Sequence, residues 1–438
     1  MVTDSTFRPS PSAPQLRIFL AAHGKHLFQR LSDERLVFYP HGWDGDLVPD
    51  LVVFPCSQTR DYSVFGDDLP DQVRRRIESG EARVVFDASS EGLDHTPART
   101  GAVHSVLERL GAPFGRAVYI TQHRGFPEDY EAFCTAAGMS QRMTILNYDY
   151  WIKRLVMPYE IKGKGFLARR RALFQARARS RPRRFLSLNR SPRPSKLVFL
   201  LSLLRDGLWD QGYVSFGGFD QLERMKLGHV HRLIKTVRNL DGFAELVPEL
   251  SPFLQPLADM GVIEFNVAMP ETPLKIYDRH TNDLALAEYH QSWFTAVTES
   301  EMSPRPARVT EKVFKPLLNF HPFVVFGNPG SLGFLRGLGF ETFPEMFDET
   351  YDQVETPRAR FDMAYAQLAR LCRMDEAELS RLEAAVASKL EHNARVALTE
   401  LPRRYREEFD RDLVDWFLPA SPATASTAPH GDRGVRTA

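Results

Sequence analysis

From Leu16 to Asn147 the chain alternates short, almost wholly apolar runs with amphipathic stretches. LRIFLA, RLVFYP, DLVVFPC and ARVVFDAS come first, then GAVHSVLERLG, AVYIT, PEDYEAFCTAAG and RMTILNY. The β-branched and aromatic runs read as strands, and the helical period of GAVHSVLERLG and PEDYEAFCTAAG reads as helices between them. The strands lack polar alternation, as strands do when helices cover both faces of a parallel sheet. The pattern predicts a doubly wound domain over residues 16–160.

The rhythm restarts at Arg184. RFLSLN, YVSFG, GVIEFNV, SWFTAVTE and PFVVFG predict strands, and SKLVFLLSLLRDG, HVHRLIKTVRNL, EKVFKPLLN and SLGFLRGLG predict helices. A second doubly wound domain is expected over 184–350, joined to the first by a linker at 161–183. The fold class is thus α/β with two Rossmann-like domains. Helical periodicity at Glu376–Leu398 and Arg403–Leu418 predicts a C-terminal helical extension over 351–418. The polar ends, 1–15 and 419–438, read as a disordered leader and tail. Ligands of such sheets bind outside the strand carboxyl ends, so two successive units predict a shared cleft.

A length of 438 residues fits two domains, and 43% hydrophobic with 26% charged residues is an ordinary globular composition. The three cysteines, Cys56, Cys134 and Cys372, form no Cys-x-x-Cys pair, which points away from a disulfide framework or zinc site and toward a reducing compartment. The first residues lack the basic and apolar regions of a secretion signal. Leu197–Leu204, the longest apolar run, falls short of the ~20 residues of a membrane-spanning helix. The expected location is the cytoplasm, with membrane contact only peripheral, at the inner membrane.

Lys plus Arg and Asp plus Glu both total 56, and the resulting neutrality argues against a general polyanion binder. The charges are unevenly placed, however. Between Glu160 and Asp206 there are fourteen positive residues and no acid. Such a stretch suits a phosphorylated small molecule, nucleic acid or an anionic surface. With only Phe166 and Phe174 interleaved as stacking residues, nucleic acid is not an expected partner. Arg169–Arg179 read equally well as a solvated helix face. Arg190 and Arg193 lie between a strand and a helix start, where guanidinium forks meet phosphate oxygens, and Pro192 and Pro194 stiffen their loop.

Trp293–Phe343 carries the densest chemistry. Glu299 ends an apolar strand, and Glu311 and Lys312 open a helix behind the candidate cap Thr310. A carboxylate there can accept from two ribose hydroxyls, and a lysine can neutralise a diphosphate; Glu311 equally complements the helix dipole. The turn Gly327-Asn328-Pro329-Gly330-Ser331 enters the next helix, whose N-terminal N–H groups could face an anion or simply be capped. It is neither a Walker loop nor a full GxGxxG fingerprint.

This segment resembles the donor-binding motif of α1,3-fucosyltransferases and related two-Rossmann-domain (GT-B) glycosyltransferases. There a Glu-containing strand end precedes a Thr-Glu-Lys helix start, and the next strand carries Ala-Gly-x-x-Pro-Val-Val, here Asn319 to Val325. FLSLNRSPRP, TEKVFKP, HPFVVFGNPGSL and GFETF are also similar to a group of bacterial and viral glycosyltransferase-like proteins, from about Arg184 to Tyr351. The resemblance implies a metal-independent glycosyltransferase whose only cofactor-like ligand is a nucleotide-diphosphate sugar co-substrate, a GDP-sugar being the first expectation. It implies Glu311 on the ribose, Lys312 on the diphosphate and Glu299 beside the sugar; Arg190, Arg193, Thr310, Asn328, Gly330 and Ser331, read from their places at strand ends and helix starts, are the further donor-site candidates. Thr298-Glu299-Ser300 stands where those enzymes have Glu-Asn-Ser, and His321-Pro322 replaces Ala-Gly.

In such enzymes the first domain binds the acceptor, here a glycan, lipid-linked glycan or protein, and it can supply the base. Asp87 and Glu91 in VVFDASSEG and His123 in YITQHRG are the candidates, each at a strand's carboxyl end. Asp87 would alternatively cap its own loop, and His321 would hold a backbone carbonyl. Asp44-Gly-Asp46 lies in a loop without the clustered His, Asp and Glu of a metal site. The competing reading is a non-catalytic module that binds an anionic polymer or partner through the basic stretch.

Overall fold

The computed structural model describes residues 14–21, 27–31, 33–39, 43, 45–56, 62–89, 96–150, 152–153, 165–177, 180–190, 192–218, 235, 237–238, 242–263, 287–303 and 309–418. The chain divides into two compact units, Met1–Lys153 with Arg403–Thr437, and Arg154–Pro402. Both are mixed α/β structures built on parallel sheets. No helix among the described residues is long and apolar enough to cross a membrane.

The first unit holds six parallel strands: β1 (Leu16–Leu20), β2 (Leu36–Phe38), β3 (Leu51–Pro55), β4 (Arg83–Ala88), β5 (Ala117–Thr121) and β6 (Thr144–Asn147). Their order is β2-β1-β3-β4-β5-β6. Every residue of β3 and β5 is buried, which accounts for the missing polar alternation. Helices α1 (Asp71–Glu78), α2 (Pro97–Arg109) and α3 (Phe126–Ala136) connect them. α1 is absent from the sequence expectation because its apolar signal is only Val73 and Ile77, one helical turn apart. Phe54, Phe86 and Tyr119 stack across neighbouring strands at ring-centroid distances of 5.8 and 6.4 Å.

The final helix, Asp410–Phe417, belongs to this unit. Its Asp410 is buried and takes the Tyr148 hydroxyl at 2.6 Å and the Lys153 ammonium. Phe417 meets Phe28 edge-on at 5.5 Å, and Arg83 lies over Trp416.

The second unit holds four parallel strands, β7 (Arg183–Asn189), β8 (Gly212–Phe216), β9 (Ser292–Thr298) and β10 (Phe323–Phe326), in the order β10-β9-β7-β8. Read from the other edge this order is 2-1-3-4, as in the first four strands of the first unit. The chain therefore changes direction across the sheet between β7 and β9, which is the topological switch point. Its helices are α4 (Phe166–Gln175), α5 (Pro194–Arg205), α6 (Glu311–Leu318), α7 (Ser331–Gly337), α8 (Pro357–Cys372) and α9 (Glu376–Arg395). Most of the expected helix HVHRLIKTVRNL and strand GVIEFNV lies outside the described residues, apart from Ile263, which bridges antiparallel to Phe216.

Four arginines of the basic stretch are taken up by internal pairing. Its residues 166–175 form α4, and Arg171, Arg177 and Arg181 all pair with acids of α9: Arg171 with Glu391 at 3.5 Å, Arg177 with Glu383 at 2.6 Å and Arg181 with Glu383 at 2.5 Å. Arg181 forks onto both Glu383 oxygens, donates to the Ser292 carbonyl at 3.1 Å and lies over the Trp293 ring. Arg205 pairs with Asp206 and Glu249. The acids that neutralise these arginines lie far along the sequence, so the charge run taken alone overstates what is left for a ligand.

Candidate functional site

At the carboxyl ends of β7 and β9, on either side of the switch point, polar side chains converge in a mostly buried cluster. The Thr298 hydroxyl donates to Asn189 Oδ1 at 2.6 Å, and Asn189 Nδ2 donates to Ser187 Oγ at 3.0 Å. These bonds tie the two strand ends together. One residue on, Glu299 is 2% exposed. Its Oε1 accepts the Thr310 backbone N–H at 3.1 Å, and its Oε2 accepts the Thr310 hydroxyl at 2.6 Å. Gly327, after β10, leaves room for it: a Cβ there would stand 3.1 Å from Glu299 Cγ.

Thr310 is also the N-cap of α6, accepting the Lys312 N–H at 3.4 Å, as its position before Glu-Lys-Val predicts. The Lys312 ammonium reaches the Thr310 hydroxyl at 2.9 Å, Ser300 Oγ at 3.3 Å, Glu311 at 3.4 Å and Glu299 at 3.5 Å. Burial works against its charge, but the Glu311 and Glu299 carboxylates outweigh it and hold the pKa above the ordinary lysine value. Glu311 moves the other way. Burial raises it, yet Lys312, its own backbone N–H, Lys315 and Lys196 bring it down to about 2. Both groups are therefore charged at neutral pH.

Lys196, in the first turn of α5, is a residue that sequence reasoning counted only as one charge of the basic stretch. It is 3% exposed. Ser195 beside it donates to the Glu299 carbonyl at 3.5 Å. Burial, with Lys312 and Arg193 adding to it and Glu311 and Glu299 opposing, lowers the Lys196 pKa to about 7. The available signal was its place on a helix start directly after a strand. Arg190 is half-buried; Arg193 is exposed, in extended backbone at the N-cap of α5.

At the Gly327–Ser331 turn the structure takes the capped of the two alternatives. The α7 N-terminus is already occupied by the chain itself: Asp352 accepts the Leu332 and Gly333 N–H groups at 3.0 and 3.1 Å. Gly330 adopts the left-handed conformation (φ 74°) and donates its N–H to the Asp352 carbonyl at 2.7 Å. Ser331 Oγ donates to the Asn328 carbonyl at 2.7 Å, and Asn328 Nδ2 donates to the Ser303 carbonyl at 2.8 Å. Buried Arg360 clamps the loop from behind, donating to the Gly327 carbonyl at 2.8 Å and to the carbonyls of Met302, Val354 and Glu355. An internal carboxylate thus caps the helix in place of an external anion, and Asn328, Gly330 and Ser331, proposed as donor contacts, shape the loop.

The base candidates separate. Asp87 is buried and acts as a loop clasp, its Oδ2 accepting the Leu27 N–H at 2.5 Å and its Oδ1 the Ser89 N–H and hydroxyl at 3.1 and 2.6 Å. Glu91, like Asp44, lies outside the described residues. His123 is buried past the end of β5, its backbone N–H on Thr121 Oγ1 at 3.1 Å. His321 is fully enclosed: Nε2–H donates to the Ser292 carbonyl at 2.9 Å and Nδ1 accepts the Thr295 hydroxyl at 2.7 Å. Burial holds its pKa well below the ordinary value, so it is a neutral structural link between β9 and β10.

No family model matches the chain, and no curated protein is detectably similar to it. Among solved structures, it is similar to the trehalose-6-phosphate phosphatase N-terminal domain of Candida albicans, with 9% identity over 92% of this chain and 97% of that one, at a TM-score of 0.41.

Proposed function

We propose that the second unit binds the diphosphate of a nucleotide sugar and that the protein is a GT-B-like glycosyltransferase passing the sugar to a glycan, lipid-linked glycan or protein hydroxyl. The observation that carries this reading is the meeting of Glu299, Thr310, Glu311, Lys312 and Lys196 at the switch point of a parallel sheet, where such folds bind nucleotides. Lys312 and Arg193 suit a diphosphate, and the ionised Glu311 suits paired ribose hydroxyls.

As the bond between the sugar's anomeric carbon and the diphosphate oxygen breaks, negative charge grows on the leaving phosphate. Lys312, already oriented by Thr310 and Ser300, stabilises that charge without reorganising. Glu299 fixes Thr310 and Lys312 in place. The acceptor proton needs a base, and Glu91 and His123 remain the proposed residues, because Asp87 is committed to Leu27 and Ser89. The alternative of a non-catalytic module with a basic docking helix has less support, since Arg171, Arg177 and Arg181 are paired with α9.

The test is a screen of nucleotide sugars for released nucleoside diphosphate, with thermal shift read in parallel. Release from at least one donor is expected, and Lys312→Ala should lower it by about 100-fold while the chain remains folded. A panel that gives neither release nor a shift overturns the reading, while a shift without release favours the non-catalytic module.

A further inference from the structure

Asn328, the second residue after β10, uses only half of its side-chain amide on the loop it shapes. Its Nδ2 donates to the Ser303 carbonyl at 2.8 Å and to Ser303 Oγ at 3.3 Å, which fixes the amide plane and tells its nitrogen from its oxygen. Its Oδ1 is buried and, among the described residues, accepts no hydrogen bond. The residue as a whole is 2% exposed. A buried acceptor left unpaired is destabilising, and the few that folded proteins keep call for an explanation.

The loop holds Asn328 beside the cluster described above. Gly327, the residue before it, packs so closely on Glu299 that an added Cβ would stand 3.1 Å from Glu299 Cγ. Ser303, which it grips, ends the short stretch that starts at Glu299 and includes Ser300, whose hydroxyl lies 3.3 Å from the Lys312 ammonium. Arg360 ties the two sides together through the Gly327 and Met302 carbonyls. The amide is therefore fixed before any ligand arrives. Its oxygen can only accept, so it repels a phosphate oxygen and needs an O–H or N–H, whereas Lys312 offers phosphate the opposite chemistry. The two together suit a phosphate ester whose next group carries hydroxyls.

We propose that Asn328 Oδ1 accepts a hydrogen bond from a hydroxyl of the donor's sugar, so that the site distinguishes a sugar-bearing diphosphate from a diphosphate ester of equal charge without hydroxyls. This rests on the nucleotide-sugar reading above and adds to it a specificity-determining residue. The sugar relieves the unpaired oxygen, while a ligand that fills the same space without a hydroxyl leaves it buried and unpaired.

The experiment is isothermal titration of the full chain with GDP-mannose, GDP-fucose and UDP-glucose, each compared with the β-methyl ester of the same nucleoside diphosphate. The methyl ester keeps the charge of the sugar ester and has no hydroxyl beyond the diphosphate. For a sugar ester that binds, the methyl ester should bind at least about tenfold more weakly, and in Asn328→Ala that ratio should shrink by about tenfold. Mere loosening of the loop would weaken both members of a pair alike and leave the ratio as it was. A methyl ester that binds the parent chain as tightly as its sugar ester overturns the proposal whether or not the variant folds, and so does a ratio unchanged in Asn328→Ala. Either result leaves the nucleotide-sugar reading standing. Failure of all three sugar esters to bind overturns both.

Discussion

Burial works against the charge of both Glu311 and Lys196, but Glu311 is offset by surrounding lysines while Lys196 has Lys312 and Arg193 adding to the cost. Lys196 has a folded-state pKa of about 7, below the unfolded value of about 10.4. The folded chain releases that proton first, so the penalty of burying the charge is complete below pH 7 and fades as pH rises toward 10. Lys196→Met should therefore raise the unfolding free energy at pH 6 by about 2 kcal/mol or more, and should flatten the rise expected of the parent between pH 7 and 10. Urea titrations across that range check this; a variant no more stable than the parent at pH 6 would remove the buried-charge argument. Glu299, Thr310, Glu311 and Lys312 were legible in the sequence because strand end and helix start announce themselves. Lys196 was not, because burial is a property of packing.

At the scale of elements, α4 and β7 are tied to α9 through Glu383, which receives both Arg177 and Arg181. Burial pulls the Arg177 pKa down to about 9, with Glu383 opposing and Arg181 adding to the fall. Replacing the carboxylate leaves two guanidinium groups without their counter-ion. Glu383→Ala should cost about 3–5 kcal/mol, measured by urea unfolding of the whole chain, whereas Glu391→Ala, at the exposed Arg171 pair, should cost under about 1 kcal/mol. Equal costs would mean that the triad carries no special weight. The strands of both sheets fall where apolar runs placed them, since a strand buried on both faces has little choice of residue. Asp352 and Arg360, which occupy and clamp the Gly327–Ser331 loop, come from more than twenty residues downstream, and no local signal marks them.

For the whole molecule, the return of Arg403–Phe417 to the first unit is the main departure from a reading by linear order. Lys153, Tyr148 and Asp410 form its buried lock. Asp410→Ala should destabilise the first unit by about 3 kcal/mol or more, because Lys153 is left buried and uncompensated. Hydrogen exchange of the β3 and β5 amides reports that unit separately, and unchanged protection there would refute the prediction. The sequence by itself determined the α/β class, the parallel strands, the Thr310 cap and the Glu-Lys pair behind it, all of which follow from periodicity and neighbours along the chain. Only the tertiary structure decided which charges remain for a ligand. An arginine's partner, a helix's carboxylate plug and a lysine's burial depend on residues brought together from far apart, and no composition or spacing encodes them.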